Sequence, residues 1–206
     1  MIMHRFLHIE EAYNFLFRGS ASFLLGLVII NLAGCQTEYE RMVSRELNSG
    51  IRKDSLFLGI SLGMSSKDFY QRCWDLNKQK LIRQGSGNTT VLWDLTELKD
   101  TADVNFYPSF YYDSILEMSA HVSYKAWAPW NKHLSNDSLL VDVVTLLKQW
   151  YGGEFIKIDF PDVGIVYVKV DGNRRIMASK FGESQVKIIF TDLLMEKRKE
   201  EEIAND

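Results

Sequence analysis

Apolar residues recur at helical spacing in two stretches of this chain, and over most of the remainder they alternate with polar ones. From Ser65 or Ser66 to about Gln79, Phe69, Cys73 and Leu76 fall on one helix face, flanked by Tyr70 and Trp74. A serine at the start accepts a free backbone N–H, and Asp68 in the first turn suits the positive helix end. The second stretch is stronger. Leu140, Val143, Val144, Leu147 and Tyr151 repeat every three or four residues, and Leu139, Leu146 and Trp150 widen the stripe. Asn136 or Ser135 supplies its cap, and Gly152-Gly153 a left-handed stop.

Between and after these helices the period drops to two. Residues 90–95, 102–107 and 111–124 read as strands, the last broken at Asp113-Ser114; residues 155–160, 164–170, 174–181 and 185–193 read as a second set. Asp171-Gly172 and Gly182-Glu183-Ser184 are turns, because glycine accepts positive φ without steric cost, and Gly85-Ser86-Gly87-Asn88 is a loop. Sequential strands with short turns make antiparallel meanders, and a helix ahead of each meander must bury its stripe on the sheet. The expected fold is α+β: a two-layer sandwich of antiparallel meander sheet under two helices, with a duplicated helix-meander unit as a further reading.

Upstream of the first helix, residues 55–64 read as a short apolar strand or extended lead-in, and residues 36–55 as a polar tether with one loose helical stretch. Residues 21–33 form an apolar run of 13, against about 20 needed to span hydrocarbon as a helix. Arg18 precedes it, and Leu32-Ala33-Gly34-Cys35 closes it. A positive flank, a short apolar stretch and a small-residue exit describe a secretory signal. The four closing residues resemble the lipobox of bacterial lipoproteins: an aliphatic at minus three, small residues at minus two and minus one, then cysteine. That resemblance implies a diacylglyceryl group on Cys35, cleavage before it, and a multi-chain membrane anchor. Glu10 and Glu11 depart from the pattern by diluting Arg5 and Arg18, and an uncleaved anchor or a cleaved, free secreted protein are the alternatives. The implied division is a removed signal peptide over 1–34, a lipid-anchored tether over 35–55, a globular α+β domain over 56–195 and a charged tail over 196–206. Gln36 stands where some bacteria place the aspartate that retains lipoproteins at the inner membrane, so the family analogy leans to the outer membrane.

Charge and cysteine content agree with an exported, tethered domain. The net charge is −3, and residues 1–34 hold two charges of each sign, so −3 carries over to the remainder. No basic patch marks a nucleic-acid binder. With Cys35 taken by lipid, Cys73 is left single on its helix, where a small apolar residue suffices.

The segment Ile60-Ser61-Leu62-Gly63-Met64-Ser65-Ser66-Lys67-Asp68-Phe69 resembles the opening of small outer-membrane-assembly lipoproteins of the SmpA/OmlA type. There an aliphatic lead-in and Gly-Met-Ser/Thr precede a helix and an antiparallel sheet, a plan shared by beta-lactamase-inhibitor-like domains. Gly63 then permits a turn, Met64 packs under the helix and Ser65 caps it. The match covers about ten residues, and the longer, aromatic second half departs from it.

Candidate binding residues are aromatic. Trp127 and Trp130 flank Pro129 in a loop, where they form either a surface for a sugar ring or partner, or a lid folded over the sheet edge. Tyr111 and Tyr112 end a dense aromatic run whose alternation turns some rings outward. No metal spacing joins His121 and His133, which lie 12 apart, and Asp159, Asp162 and Glu154 read as solvated charge. No phosphate loop or nucleophile elbow occurs, and no cofactor is expected. The sequence therefore points to a non-catalytic, membrane-anchored envelope protein that binds or scaffolds a protein partner. A glycan or small-ligand binder using Trp127 and Trp130 is the alternative, and an envelope hydrolase a third reading.

Overall fold

The computed structural model describes residues 37–85, 87, 89–161 and 163–205. The lipobox, Gln36, Asp162 and parts of the 85–88 loop lie outside the described residues. By contact density the chain divides between Arg41 and Met42. In the first unit Thr37 and Glu40 cap each other reciprocally: the Thr37 N–H donates to the Glu40 carboxylate at 2.8 Å, and the Glu40 N–H to the Thr37 hydroxyl at 3.1 Å. They open helix α1, Glu38–Asn48, which has no buried residue. Among the described residues no helix is long and apolar enough to cross a membrane.

The second unit carries an antiparallel α+β fold. Helix α2 is Ser66–Lys78 and α3 is Asn136–Tyr151. The strands are β1 Ile82–Gln84, β2 Val91–Leu95, β3 Ala102–Tyr111, β4 Ser114–Tyr124, β5 Ile156–Phe160, β6 Gly164–Asp171, β7 Arg174–Phe181 and β8 Gln185–Asp192, followed by α4, Leu193–Asn205. Their order in the single sheet is β1-β2-β3-β4-β8-β7-β6-β5. Each set of four strands is thus a meander preceded by a helix, and the two meanders join where their last strands, β4 and β8, pair antiparallel.

One face of the sheet forms the core. Phe106, Ala120, Ile188 and Ala178 stand in register across β3, β4, β8 and β7, all nearly inaccessible. Leu139, Leu140, Val143, Val144, Leu146 and Leu147 of α3 are buried, and α3 packs on β4, β7 and β8. The helical stripe read from the sequence therefore meets the apolar positions of both meanders. The other face carries Asn105, His121, Lys187 and Ser179 in register, hence the polar half of the alternation.

Local differences from the sequence reading have local causes. The 55–64 segment is no strand. It is a strap of tight turns, closed by an isolated bridge between Ser55 and Ser61, that buries Leu56, Phe57, Ile60 and Leu62. Gly63 takes φ +75°, and the Ser65 hydroxyl accepts the Asp68 N–H at 3.1 Å, as a turn and cap there require. Strand β1 has three residues and exists through pairing with β2. The β3–β4 turn is Tyr112-Asp113, both at positive φ without a glycine, so β3 runs on to Tyr111. The C-terminal charged segment is a helix tied to the sheet: Glu196 pairs with Arg175 at 2.7 Å, and Glu202 accepts the Tyr111 hydroxyl.

Candidate ligand-binding cleft

The strap is held down by a polar clasp at the β6–β7 turn. Asn173, fully buried, accepts the Lys53 N–H at 2.7 Å and donates to Asp54 at 2.9 Å. Arg52 bridges Asp54 at 2.8 Å and the buried Asp192 at 3.1 Å. Asp192 accepts the Leu194 and Met195 N–H groups and so caps α4. Gly172 makes this approach possible: its φ is +59°, and a Cβ there would collide with the Ile51 carbonyl oxygen.

Between the strap, the end of α3 and the start of β7 lies an open cleft of about 590 Å³, within the usual range of small-molecule sites. Phe57, Trp93, Trp150 and Tyr151 wall it. The Phe57 and Trp93 rings stack at 5.7 Å, and Trp93 stacks on Trp150 at 5.9 Å. Leu58, on the strap wall, sits at φ +55°, an uncommon conformation for a non-glycine residue.

Arg174 is one of the lining residues, its side chain 5% exposed. One terminal nitrogen donates to the Ser55 carbonyl and the other to Asp171 at 2.9 Å, while its guanidinium covers the Tyr151 ring at 4.3 Å. Asp171 also takes Lys169 at 3.4 Å. Two buried polar atoms here have no hydrogen-bond partner: Arg174 Nε and the Tyr151 hydroxyl. Burial pushes the Tyr151 phenol above its ordinary pKa, opposed in part by Arg174, so it stays a neutral donor and acceptor. An unmet buried hydroxyl costs roughly 1–3 kcal/mol. Lys53 and Glu97 add one charge of each sign to the lining.

The residues singled out in the sequence lie elsewhere. Trp127 is half-buried against the core, and Trp130 is 85% exposed. Tyr111 is bonded to α4, with Lys199 over its ring, and Tyr112 is 79% exposed. Trp127 follows the end of β4 that pairs with Ala102, whereas Tyr111 and Tyr112 stand at the opposite end of that hairpin, about 30 Å away along a ten-residue strand. The structure does not bring the two aromatic groups together. Cys73 is half-buried on α2, its thiol pushed up to about 11 by burial. Glu154 pairs with Lys148, and His121 packs edge-on against Phe181. Among the described residues no group of His, Cys, Asp and Glu side chains is arranged to hold a metal ion.

Arg174, Tyr151 and Trp93 escape a reading of the sequence because each looks like an ordinary strand or helix residue. The one available signal is Arg174 itself: it occupies the inward position of a strand whose next inward residues, Ile176 and Ala178, are apolar. No protein-family model, no curated protein and no solved structure matches the chain.

Proposed function

We propose that this chain is a lipid-anchored, non-catalytic binding protein of the bacterial envelope, attached through Cys35, and that a small ligand occupies the cleft between strap and sheet. The outer membrane is the location favoured by Gln36. The observation that carries the ligand reading is an open, aromatic-walled cleft, two of whose lining residues, Arg174 and Tyr151, each keep a buried polar atom without a hydrogen-bond partner. Desolvated polar groups are left unmet in a fold where something else repays the cost. The lining acids do not form an acid–base pair: Asp171 is engaged by Arg174 and Lys169, and Glu97 is exposed.

Binding of a protein partner is the second reading, supported by Tyr70 and Trp74. They lie one turn apart on α2, 52% and 60% exposed, with Lys78 at 5.3 Å from the Trp74 ring. The finer architecture belongs to the same proposal. The two helix-meander halves, α2 with β1–β4 and α3 with β5–β8, are read as a duplicated unit forming a two-layer sandwich, a reading supported by their pairing through β4 and β8.

A thermal-shift screen of small metabolites tests the ligand reading. At least one compound should raise the melting temperature of the native chain and not that of Trp93→Leu. Hits that ignore Trp93→Leu but disappear with Trp74→Ala would move the site to α2. Mass spectrometry of the N-terminal peptide tests the anchor: a free Cys35 thiol in membrane-derived protein would remove it.

A further inference from the structure

We propose that strand β5 is a docking edge for a second copy of this chain, the two β5 strands pairing antiparallel about a two-fold axis at Ile158. The two sheets then become one.

The first observation is the edge itself. β5, Ile156–Phe160, ends the strand order and, among the described residues, pairs only with β6. Its outer side presents a row of backbone donors and acceptors, a template for another strand. Folded proteins blunt such edges with bulges, prolines or very short strands. The opposite edge, β1, has only three residues. β5 has five, in unbroken register with β6 and without a proline. Beside it Phe160 and Val163 are 42% and 58% exposed.

Self-complementarity names the occupant. Ile156, Ile158 and Phe160 take one face of β5, and Lys157 and Asp159 the other. Both charged residues are exposed, and neither has an ion-pair partner among the described residues. A continuous sheet sets residues of the same face opposite one another. Centred on Lys157 or on Asp159, a symmetric pairing puts like charges together on the axis. Centred on Ile158, it sets Lys157 against Asp159 and Ile156 against Phe160, and the symmetry makes each pair twice. Opposite charges and apolar residues directly across a strand pair stabilise it, and like charges oppose it. The order of charges in β5 therefore selects its own copy in one register. On the apolar face, Ile156 and Ile158 already stand in register with the buried Val168 and Val166, so the dimer extends an existing apolar row. A five-residue strand pair covers little area, which makes the association a reversible one.

The test uses the full chain in a neutrally buoyant detergent. Sedimentation equilibrium should show monomer and dimer in exchange. Lys157→Glu sets like charges against each other in both pairs and should weaken the dimer about tenfold. Adding Asp159→Lys should restore it. Both positions are exposed, so circular dichroism melts at low concentration should match the native chain. Register is read by cysteine cross-linking under mild oxidation, with the unsubstituted chain as background. Ile158→Cys places two thiols at the axis, at the roughly 4.5–5.5 Å Cα spacing of facing residues that a disulfide spans. Phe160→Cys, though more exposed, stands about 14 Å from its copy and should not link. A monomer at every concentration, a dimer indifferent to Lys157→Glu or unrestored by Asp159→Lys, or equal linking at the two cysteine positions overturns the proposal. Linkage of Ile158→Cys to a different polypeptide instead overturns the second copy as the occupant of the edge.

Discussion

Single residues here do their work through contacts with distant parts of the chain. Gly172 is needed twice, for a left-handed φ and for the room the Ile51 carbonyl takes. Gly172→Ala should therefore cost about 2–3 kcal/mol, read from the urea midpoint, whereas alanine at Gly182, which also has positive φ but open space around it, should cost about 1 kcal/mol. His121 is a second case. On the polar face it meets Phe181, Lys187 and Gln185, with Asn105 and Ser119 around the same shallow depression. Burial first, then Lys187, hold its imidazole below the ordinary value, and a hydrogen bond with Gln185 opposes them. The unfolded chain, at about 6.5, then binds a proton that the folded chain resists. The stability contribution is present above that pH and is lost as pH falls through the folded pKa. Urea titrations from pH 7.5 to 5 should show the decline, and His121→Gln should flatten it.

At the level of elements, the N-terminal strap and the C-terminal helix share one anchor. Asp192 caps α4 with two backbone bonds and takes Arg52 from the strap's base. Losing a cap costs about 1 kcal/mol, and a buried charged partner adds to it. Asp192→Ala should destabilise by about 2–3 kcal/mol and Asp192→Asn by less, since the amide oxygen still caps. Amide exchange should quicken first in α4. Helix α3 and the long strands announce themselves in the sequence because their periodicity is dense and uninterrupted. Strand β1 and the Tyr112-Asp113 turn do not. A three-residue edge strand is made by its neighbour, and a hairpin turn without glycine lacks the usual signal. The charge-rich C-terminal segment reads as a frayed helical tail; the helix is there, but its attachment to the sheet is not legible because its anchors, Arg175 and Tyr111, are 21 and 91 residues away from the glutamates they hold.

For the molecule as a whole, the two meanders meet at β4 and β8, and the strap closes the core they share with α3. Phe57 touches the Trp93 and Phe106 rings of one half and the Phe190 ring of the other. Leu56, Phe57, Ile60 and Leu62 each contribute roughly 1.5–3 kcal/mol by burial. A chain starting at residue 50 should keep a cooperative melt, while one starting at residue 63 should lose it. Circular dichroism melts of the two decide the matter. Equal stability of both would show the strap to be dispensable. The strap also supplies one wall of the cleft, so loss of the fold and loss of binding are expected to coincide in the shorter chain.

Hydrophobic period is a property of the local backbone, 3.6 residues per turn in a helix and two in a strand. That is why the α+β class, both long helices, the meanders and most strand limits could be read directly from the order of residues. The cleft could not. Its clasp joins Lys53 to Asn173 across 120 positions, and its lining needs Ser55, Tyr151, Asp171 and Arg174 brought together by four separate elements, the strap, α3, β6 and β7. Whether an arginine at a strand start is solvated or sealed beneath an aromatic wall depends on what the rest of the chain lays over it, and only the packed structure decides that.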